Sequence, residues 1–469
     1  MRNYLYIFWI LQLLSIFIAN ISAEKVIYAW QMHRHGARAP YLGVTNNTDF
    51  YQEKWIDKEE LTYMGKRMLY LLGVKARKKY VVEKKLLSEK YSPQEILIRS
   101  TDVNRTIESV ECFIQGLYPH GTGYALNDKV ANNKSISYPP NKKYQDKFSN
   151  IIQFFKLDKN YYALPFGMSI LPIHLFYNKA HEFGLYSPKE CKGHAGITDT
   201  QRKRQEILDF GKNLTSRFPG VIEFLQGTND DKILYEYPNL YKYADTYVID
   251  EIDQRSFEIL KAKFDFKEED FKEYKEYSKK FLFMDYTETN YPKAHPEIAT
   301  MSMSYTMHSI VNWMENAKKG YQDNSPYIKY VVYSAHDSSI GALEFFMENT
   351  FNKTAEYAEL AESRFFELYI DDNNNFRVRY LKGNSEEPKL DISFDDFKEI
   401  INNSTWSDEK VAEYCKFNEE ETDKSDEKIP EKKSIFTAAF IAMIVMIVVV
   451  VVLAIILIVI ICKNKKKIN

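Results

Sequence analysis

From Ile435 to Cys462 the chain runs 28 residues without a charged side chain, and Lys463, Lys465, Lys466 and Lys467 follow at once. At about 1.5 Å per residue, a helix of that length crosses the roughly 30 Å of a hydrocarbon layer with tilt to spare. The lysines put the C-terminus on the cytosolic side. A lipid-anchor signal also ends in an apolar tail, but a basic segment after that tail argues against one. Residues 435–462 are therefore read as a single transmembrane helix with a basic tail, 463–469. Everything before them has to fold outside the cytosol.

The opposite end agrees. Residues 1–23 begin with Arg2, run through the apolar stretch Tyr4 to Ile18 and close on Ile21-Ser22-Ala23 before Glu24. A basic start, a short apolar core and a small residue at the exit make a secretory signal, whereas an uncleaved anchor would need a longer run. The resulting topology is type I, with one C-terminal helix in the membrane. Lys466-Lys467-Ile468-Asn469 resembles an early-secretory retrieval signal, but a stop-transfer charge cluster is the preferred reading on positive-inside grounds. Extracytosolic placement gives meaning to the acceptors at Asn46, Asn104, Asn133, Asn213, Asn352, Asn402 and Asn403. Residues 416–434, charged and containing Pro430, read as a stalk.

The part between these ends has material for a core, with 45% hydrophobic and 27% charged residues in the whole chain. A net charge of -2 excludes the basic footprint of a nucleic-acid-binding protein. Four cysteines cannot build a disulfide scaffold, and the scattered histidines lack paired metal-ligand spacing. No cofactor is called for. Composition sets no oligomeric state, so a homodimer stays open.

Val26–Met32, Glu95–Arg99 and Tyr327–Ser334 read as buried strands. Leu61–Lys79 has helical spacing, and Ser100-Thr101-Asp102 offers cap chemistry for a helix through Leu117. Ser338–Met347 is helical. Phe365–Ile370 and Phe376–Tyr380 flank Asp371-Asp372-Asn373-Asn374-Asn375 as a hairpin. Roughly residues 155–300, by contrast, are rich in helical periodicity, in Arg202–Leu225 and Phe257–Phe283, and poor in strands. These elements predict an α/β fold spanning residues 24–415, with a central mixed sheet flanked by helices and a smaller α-helical cap domain inserted in it.

Chemistry concentrates where strands end. The first strand runs into Arg34-His35-Gly36-Ala37-Arg38-Ala39-Pro40. Guanidinium groups present planar forks that match phosphate oxygens. Flanking cations disfavour imidazolium, which leaves His35 neutral and nucleophilic. A basic loop after a strand is the plain alternative. Arg99 ends the second strand, in Ile98-Arg99-Ser100-Thr101-Asp102-Val103-Asn104-Arg105-Thr106, and His336-Asp337 ends the third. Ligands of open α/β sheets lie beyond the carboxyl ends of strands. Arg99 is placed to close a phosphate clamp, His336 to donate to an oxygen and Asp337 to protonate a leaving group.

With these strings, residues 25 to 415 resemble the histidine acid phosphatases, the second branch of the histidine phosphatase superfamily, and most of all the prostatic and lysosomal types. Glu60-Leu61-Thr62-Tyr63-Met64-Gly65 is similar to the family's LTxxG helix start, and Phe366-Glu367-Leu368-Tyr369 to its FELY strand. The resemblance implies a phosphohistidine at His35, with phosphate bound by Arg34, Arg38, Arg99 and His336. Asp337 would act as acid for the leaving group and then as base for water. It implies a membrane-anchored acid phosphatase acting on small phosphomonoesters or phosphorylated peptides, in a lysosome, another acidic compartment or at the cell surface.

Some features depart from the pattern or stand outside it. Ala37 stands where the nearest relatives usually carry Asp and where phytase-type members often carry a small apolar residue. An inositol-polyphosphate phosphatase is therefore the rival reading, and a silent receptor or adhesion domain on the same scaffold a further one. Basic residues Lys189, Lys192, His194, Arg202, Lys203 and Arg204 in the cap would meet a highly phosphorylated substrate, or simply face solvent. By resemblance Cys191 pairs with Cys415, which leaves Cys112 as a thiol on a helix. A glycan on Asn104 would obstruct the cleft, so that acceptor is expected to stay unused, and His33 is read as a buried or helper histidine.

Overall fold

A computed structural model of the chain describes residues 24–39, 59–126, 162–176, 191, 205–217, 261–262, 267–283, 296–383 and 385–415. Its strands are β1 (Lys25–Arg34), β2 (Ile96–Ser100), β3 (His174–Leu175), β4 (Tyr330–Ala335), β5 (Ser363–Ile370), β6 (Phe376–Lys382) and β7 (Leu390–Ser393). They form a mixed sheet in the order β3-β2-β4-β1-β5-β6-β7. β3, β2, β4 and β1 run parallel to their neighbours, and β5, β6 and β7 continue antiparallel from β1.

Every residue of β1 after Lys25 is buried, as expected of a strand covered on both faces. Its bulky residues Trp30 and Met32 enter one core, and Ala29 enters the other. The helices are α1 (Tyr63–Ala76), α2 (Asn104–Leu117), α3 (Gln205–Arg217), α4 (Glu268–Phe283), α5 (Pro296–Gln322), α6 (Asp337–Phe351), α7 (Phe394–Ser404) and α8 (Asp408–Cys415). On the Ala29 side the sheet packs against α1 and α2 through Ala76, Val110, Phe113 and Ile114. On the Trp30 side it packs against α5, α6 and α7 through Met303, Met307, Ile340, Phe346 and Phe397. The two helices of the first layer lie unusually close. A Cβ on Gly73 would sit 2.0 Å from the Phe113 carbonyl oxygen, and one on Gly116 would sit 2.1 Å from that of Tyr70.

The structure therefore has the expected mixed sheet between helices, with differences of detail. Thr62 caps α1 by accepting from the Gly65 amide at 3.1 Å. The N-cap of α2 is Val103, without a side-chain bond, and not the Ser100-Thr101-Asp102 run; the Thr101 hydroxyl is engaged elsewhere. The edge strand β3 has only two residues, too few for a periodicity to register, and falls inside the range read as the helical insertion. α3 and α4 are the longest helical parts described in that range before α5, and Arg217 and Glu273 join them at 2.8 Å. Cys191 and Cys415 form a disulfide, and Cys112 is a half-buried thiol raised in pKa by burial. The signal, stalk, span and tail lie outside the described residues, as do Pro40, Asn46, Asn133 and the cap's basic stretch. Among the described residues no helix is long and apolar enough to cross a membrane.

Beneath the sheet's far half lies a buried charge cluster. Glu344 on α6 accepts from Arg364, from Lys382 at 2.7 Å and from the Tyr380 hydroxyl at 2.7 Å. Burial alone would raise the Glu344 carboxyl, but Arg364 and Lys382 pull it below the usual range. The same groups hold the segment between α6 and β5. Lys382 donates to the Thr354 carbonyl at 2.8 Å, and Glu344 accepts from the Glu356 amide at 2.8 Å. Breaking a buried ion pair by removing one partner typically costs about 3–5 kcal/mol. Glu344→Gln is expected to destabilise the fold on that scale, measured as a lowered urea midpoint with an unchanged slope.

Candidate active site

Strand register assembles the site. Arg34 at the end of β1 lies opposite Ala335 of β4, and Ser100 of β2 lies opposite Ser334. The segments after the three parallel strands thus emerge side by side. The segment after β1 is clamped from several directions. His35 donates its amide to the Ala335 carbonyl at 3.0 Å, and its own carbonyl accepts from Ala361 at 3.1 Å. The Gly36 amide donates to Ser109 Oγ of α2 at 3.1 Å. Gly36 is required by close approach: a Cβ there would stand 2.5 Å from the Gly65 carbonyl oxygen. Ala37 is buried against the start of α1, where its carbonyl accepts from the Thr62 amide and hydroxyl, both at 2.9 Å.

His35 is buried, and its Nδ1 lies 2.9 Å from the Gly36 carbonyl oxygen. A carbonyl only accepts, so Nδ1 carries the proton and the Nε2 lone pair remains for nucleophilic attack. Burial lowers the His35 pKa well below the usual value, and Arg105, Arg38 and Arg34 lower it further. The ring therefore stays neutral under acidic conditions that would protonate an exposed histidine.

Arg34 is fully buried and held from three sides. Its Nη1 donates to Tyr357 Oη at 2.8 Å and to the Ala358 carbonyl at 3.0 Å, while Nη2 pairs with Asp337 Oδ2 at 2.7 Å. The Asp337 Oδ1 accepts from the Ser338 amide at 2.8 Å. Burial would raise the Asp337 carboxyl, but the Arg34 and Arg38 guanidinium groups hold it below the usual range. Arg38 is also buried, donating to the Ala39 carbonyl at 2.9 Å.

His336 is the N-cap of α6 and faces His35, with ring centroids 5.8 Å apart. Its Nδ1 lies 3.4 Å from Arg105 Nη2 and its Nε2 lies 2.9 Å from Thr101 Oγ1. A guanidinium only donates, so Nδ1 accepts and Nε2 donates to Thr101. Burial and then Arg105 depress the His336 pKa, against the pull of Asp337. His336 enters this site as a neutral ring.

Five of the six expected residues thus converge: Arg34, His35, Arg38, His336 and Asp337. Arg99 is placed differently. Its guanidinium lies over the Phe176 ring at 4.2 Å and over the Tyr333 ring at 5.7 Å. The third guanidinium beside the two histidines is Arg105, in the first turn of α2, which the sequence reading passed over. The signal was present: Arg105 is the other cation of the Arg99–Thr106 string, and a helix starting at the carboxyl end of a parallel strand points its first turn at the site. The chain from the buried Thr101 and His336 to Arg105 continues to Glu59, whose Oε2 lies 2.7 Å from Arg105 Nη1. His33, one residue before Arg34, stacks on Phe113 at 5.6 Å behind the site, and burial lowers its pKa to about 4.

Residues 25–382 match the histidine phosphatase superfamily (branch 2), and the chain belongs to that family. It is an enzyme, a phosphatase. Lysosomal acid phosphatase of Xenopus laevis is 24% identical over 384 residues, covering 79% of this chain and 73% of the relative. Lysophosphatidic acid phosphatase type 6 of Mus musculus is 39% identical over 80 residues, covering 17% of this chain and 19% of the relative. Among solved structures, Hafnia alvei phytase in complex with tartrate superposes with a TM-score of 0.51 at 14% identity, covering 82% of this chain and 98% of that one. At that identity the likeness is one of fold.

The different settings of Arg105 and Arg99 make a direct comparison. Removing a charge-assisted contact from a preorganised site costs about 100-fold or more in turnover. Arg105→Ala is expected to lose at least about 100-fold in kcat/KM on a simple phosphomonoester. Arg99→Ala, which removes a cation stacked on aromatic rings, is expected to lose less than about tenfold.

Proposed function

We propose that this phosphatase is a membrane-anchored acid phosphatase that hydrolyses phosphate monoesters through a phosphohistidine on His35. The observation that carries the reading is the convergence of a neutral, oriented imidazole with three guanidinium groups and one carboxyl. Arg34, Arg38 and Arg105 supply positive charge for the phosphoryl oxygens. They are fixed before substrate arrives, so little reorganisation is needed as charge develops. His336 orients Arg105 and lies beside the transferring group.

In the first step His35 Nε2 attacks phosphorus as the ester P–O bond breaks. The proton on Asp337 passes to the departing alkoxide. In the second step Asp337, now ionised, takes a proton from water; the resulting hydroxide forms the new P–O bond as the P–N bond breaks. His35 returns to its neutral state and inorganic phosphate leaves. Both steps use one carboxyl, first as acid and then as base.

Asp337 is paired with Arg34 and held ionised before substrate binds. A phosphate group shares the charge of Arg34, weakening its hold on Asp337 and raising that carboxyl's proton affinity. The proton can arrive on the ester itself as its monoanion. Phosphate monoesters lose their second proton near pH 6, at about the value of a phosphorylated serine. kcat/KM is therefore expected to fall as pH rises above about 6, in a pH series on a simple monoester. A profile flat to pH 8 would exclude this proton route.

The signal at residues 1–23, the apolar run 435–462 and the lysines after it support type I anchoring with the catalytic part in the lumen. The relatives named lysosomal acid phosphatase support an acidic lumenal compartment. The helical segment containing α3 and α4 is read as a cap over the substrate side. In the full-length protein, His35→Ala should abolish turnover of p-nitrophenyl phosphate. Asp337→Asn should cost about 100- to 10,000-fold on alkyl phosphates. The loss should be much smaller on p-nitrophenyl phosphate, whose leaving group needs no proton. Substantial turnover by His35→Ala, or an equal loss on both substrates by Asp337→Asn, would contradict these roles.

A further inference from the structure

Two carboxylates stand at the rim of this cationic site, and the mechanism uses neither. Glu59 Oε2 lies 2.7 Å from Arg105 Nη1, on the opposite fork of the guanidinium from the nitrogen that meets His336. Beside it, Glu60 Oε1 accepts from Asn104 Nδ2 at 2.9 Å. Their backbone is fixed to the catalytic segment. The Ala39 amide donates to the Glu60 carbonyl at 2.9 Å, Arg38 and Leu61 form a β-bridge, and the Thr62 amide donates to Ala37. Glu59 adopts φ 61°, a left-handed conformation that costs a side-chain-bearing residue energy and persists only where surroundings enforce it. The carboxylate position is thus built into the turn.

We propose that Glu59, seconded by Glu60, is a specificity-determining residue that admits esters carrying a single phosphate and disfavours polyphosphorylated ones. The inference rests on the reading of His35 and its arginines as the phosphoryl-transfer site. A single phosphoryl group is met by Arg34, Arg38 and Arg105, and Glu59 then sits one guanidinium away, partly neutralising Arg105. A second or third phosphate on the same small molecule has to lie beyond the first, at the rim. On the Arg105 side it meets two fixed negative charges. Like charges juxtaposed at a binding surface suppress wrong partners, and specificity is built from such repulsion as well as from attraction. The Glu59–Arg105 pair is partly buried, with side-chain exposures of 32% and 13%, so salt screens it less than a fully exposed pair.

The test compares full-length wild type, Glu59→Gln, Glu59→Asp and the Glu59→Gln/Glu60→Gln double variant on p-nitrophenyl phosphate and on myo-inositol hexakisphosphate. Removing one fixed charge within several ångströms of a polyanion should raise the hexakisphosphate-to-monoester ratio of kcat/KM by about tenfold. The double variant should raise it further. The gain should appear in KM rather than kcat and shrink as ionic strength rises, which a merely structural role would not produce. Glu59→Asp, keeping the charge, should retain most of the wild-type discrimination. Binding to wild type gives a check that requires no variant: hexakisphosphate should compete with the monoester no more than about tenfold better than inorganic phosphate does. Tighter competition, or an unchanged ratio in variants that still hydrolyse the monoester, overturns this inference alone. Absence of His35-dependent turnover in the wild type overturns the phosphatase reading and this inference with it.

Discussion

The ion pair between Arg34 and Asp337 joins the ends of two adjacent parallel strands, 303 residues apart in sequence, at 2.7 Å. β1 and β4 are neighbours in register, so the residue closing one strand and the residue opening the helix after the other meet without a long loop. The pair fixes the carboxyl proposed to move the proton and the guanidinium proposed to face the phosphate, and it holds that carboxyl ionised. A buried cation of this kind is stabilised by further acceptors for its donors. Tyr357 and Ala358 accept from the other fork of Arg34. That requirement extends the site into the segment between α6 and β5.

The extension explains why so much charge is buried far from any substrate. Residues 354–358 are held by Lys382 donating to Thr354, by Glu344 accepting from Glu356, and by the ion pair between Arg364 and Glu344. A hydrophobic cluster could fill the same volume, and buried ion pairs by themselves add little net stability. Such a cluster could not bind two backbone groups of one loop at defined positions. Glu344, Arg364 and Lys382 act as a frame that aims Tyr357 and Ala358 at Arg34. Their role in catalysis is indirect and lies in positioning.

Much of this was legible in the sequence because it depends on local order. The apolar runs of β1, β2 and β4 and the residues closing them specify a parallel core with polar groups beyond its carboxyl edge, where five of the residues named from the sequence meet in the candidate site. Arg99 and Arg105 were confused for an equally physical reason. Residue 99 is the last-but-one residue of a strand whose side chains alternate between faces, and its turn falls on the Phe176 and Tyr333 side. Residue 105 reaches the site because a helix begins at Asn104, a boundary that no side-chain cap announces. The Glu59 turn was illegible, since a left-handed glutamate has no sequence signature. The helix α5 crosses the edge of the range read as an insertion, and Met303, Met307 and Met314 on it enter the core.

Burying three histidines together has a thermodynamic consequence for a protein read as working in acid. His33, His35 and His336 all have pKa values below the exposed value of 6.5. The unfolded chain therefore binds more protons than the folded one once pH drops below about 6.5, and each histidine weakens folding by up to about 1.4 kcal/mol per pH unit until its folded pKa is reached. Asp337 works in the same direction but lower, because its carboxyl is depressed below the usual value of 3.8 and loses its contribution only as pH falls through the folded pKa. An acid enzyme could avoid this burden by exposing its nucleophile, but an exposed imidazole would be protonated at the working pH and could not attack. Burial and then the surrounding guanidinium groups keep His35 neutral, and in the proposed reaction the same guanidinium groups hold the phosphate, so one set of charges would meet both needs. His33 gains nothing of that kind from its burial behind Arg34. What it supplies is a flat ring against Phe113 that fills the space beneath the catalytic segment.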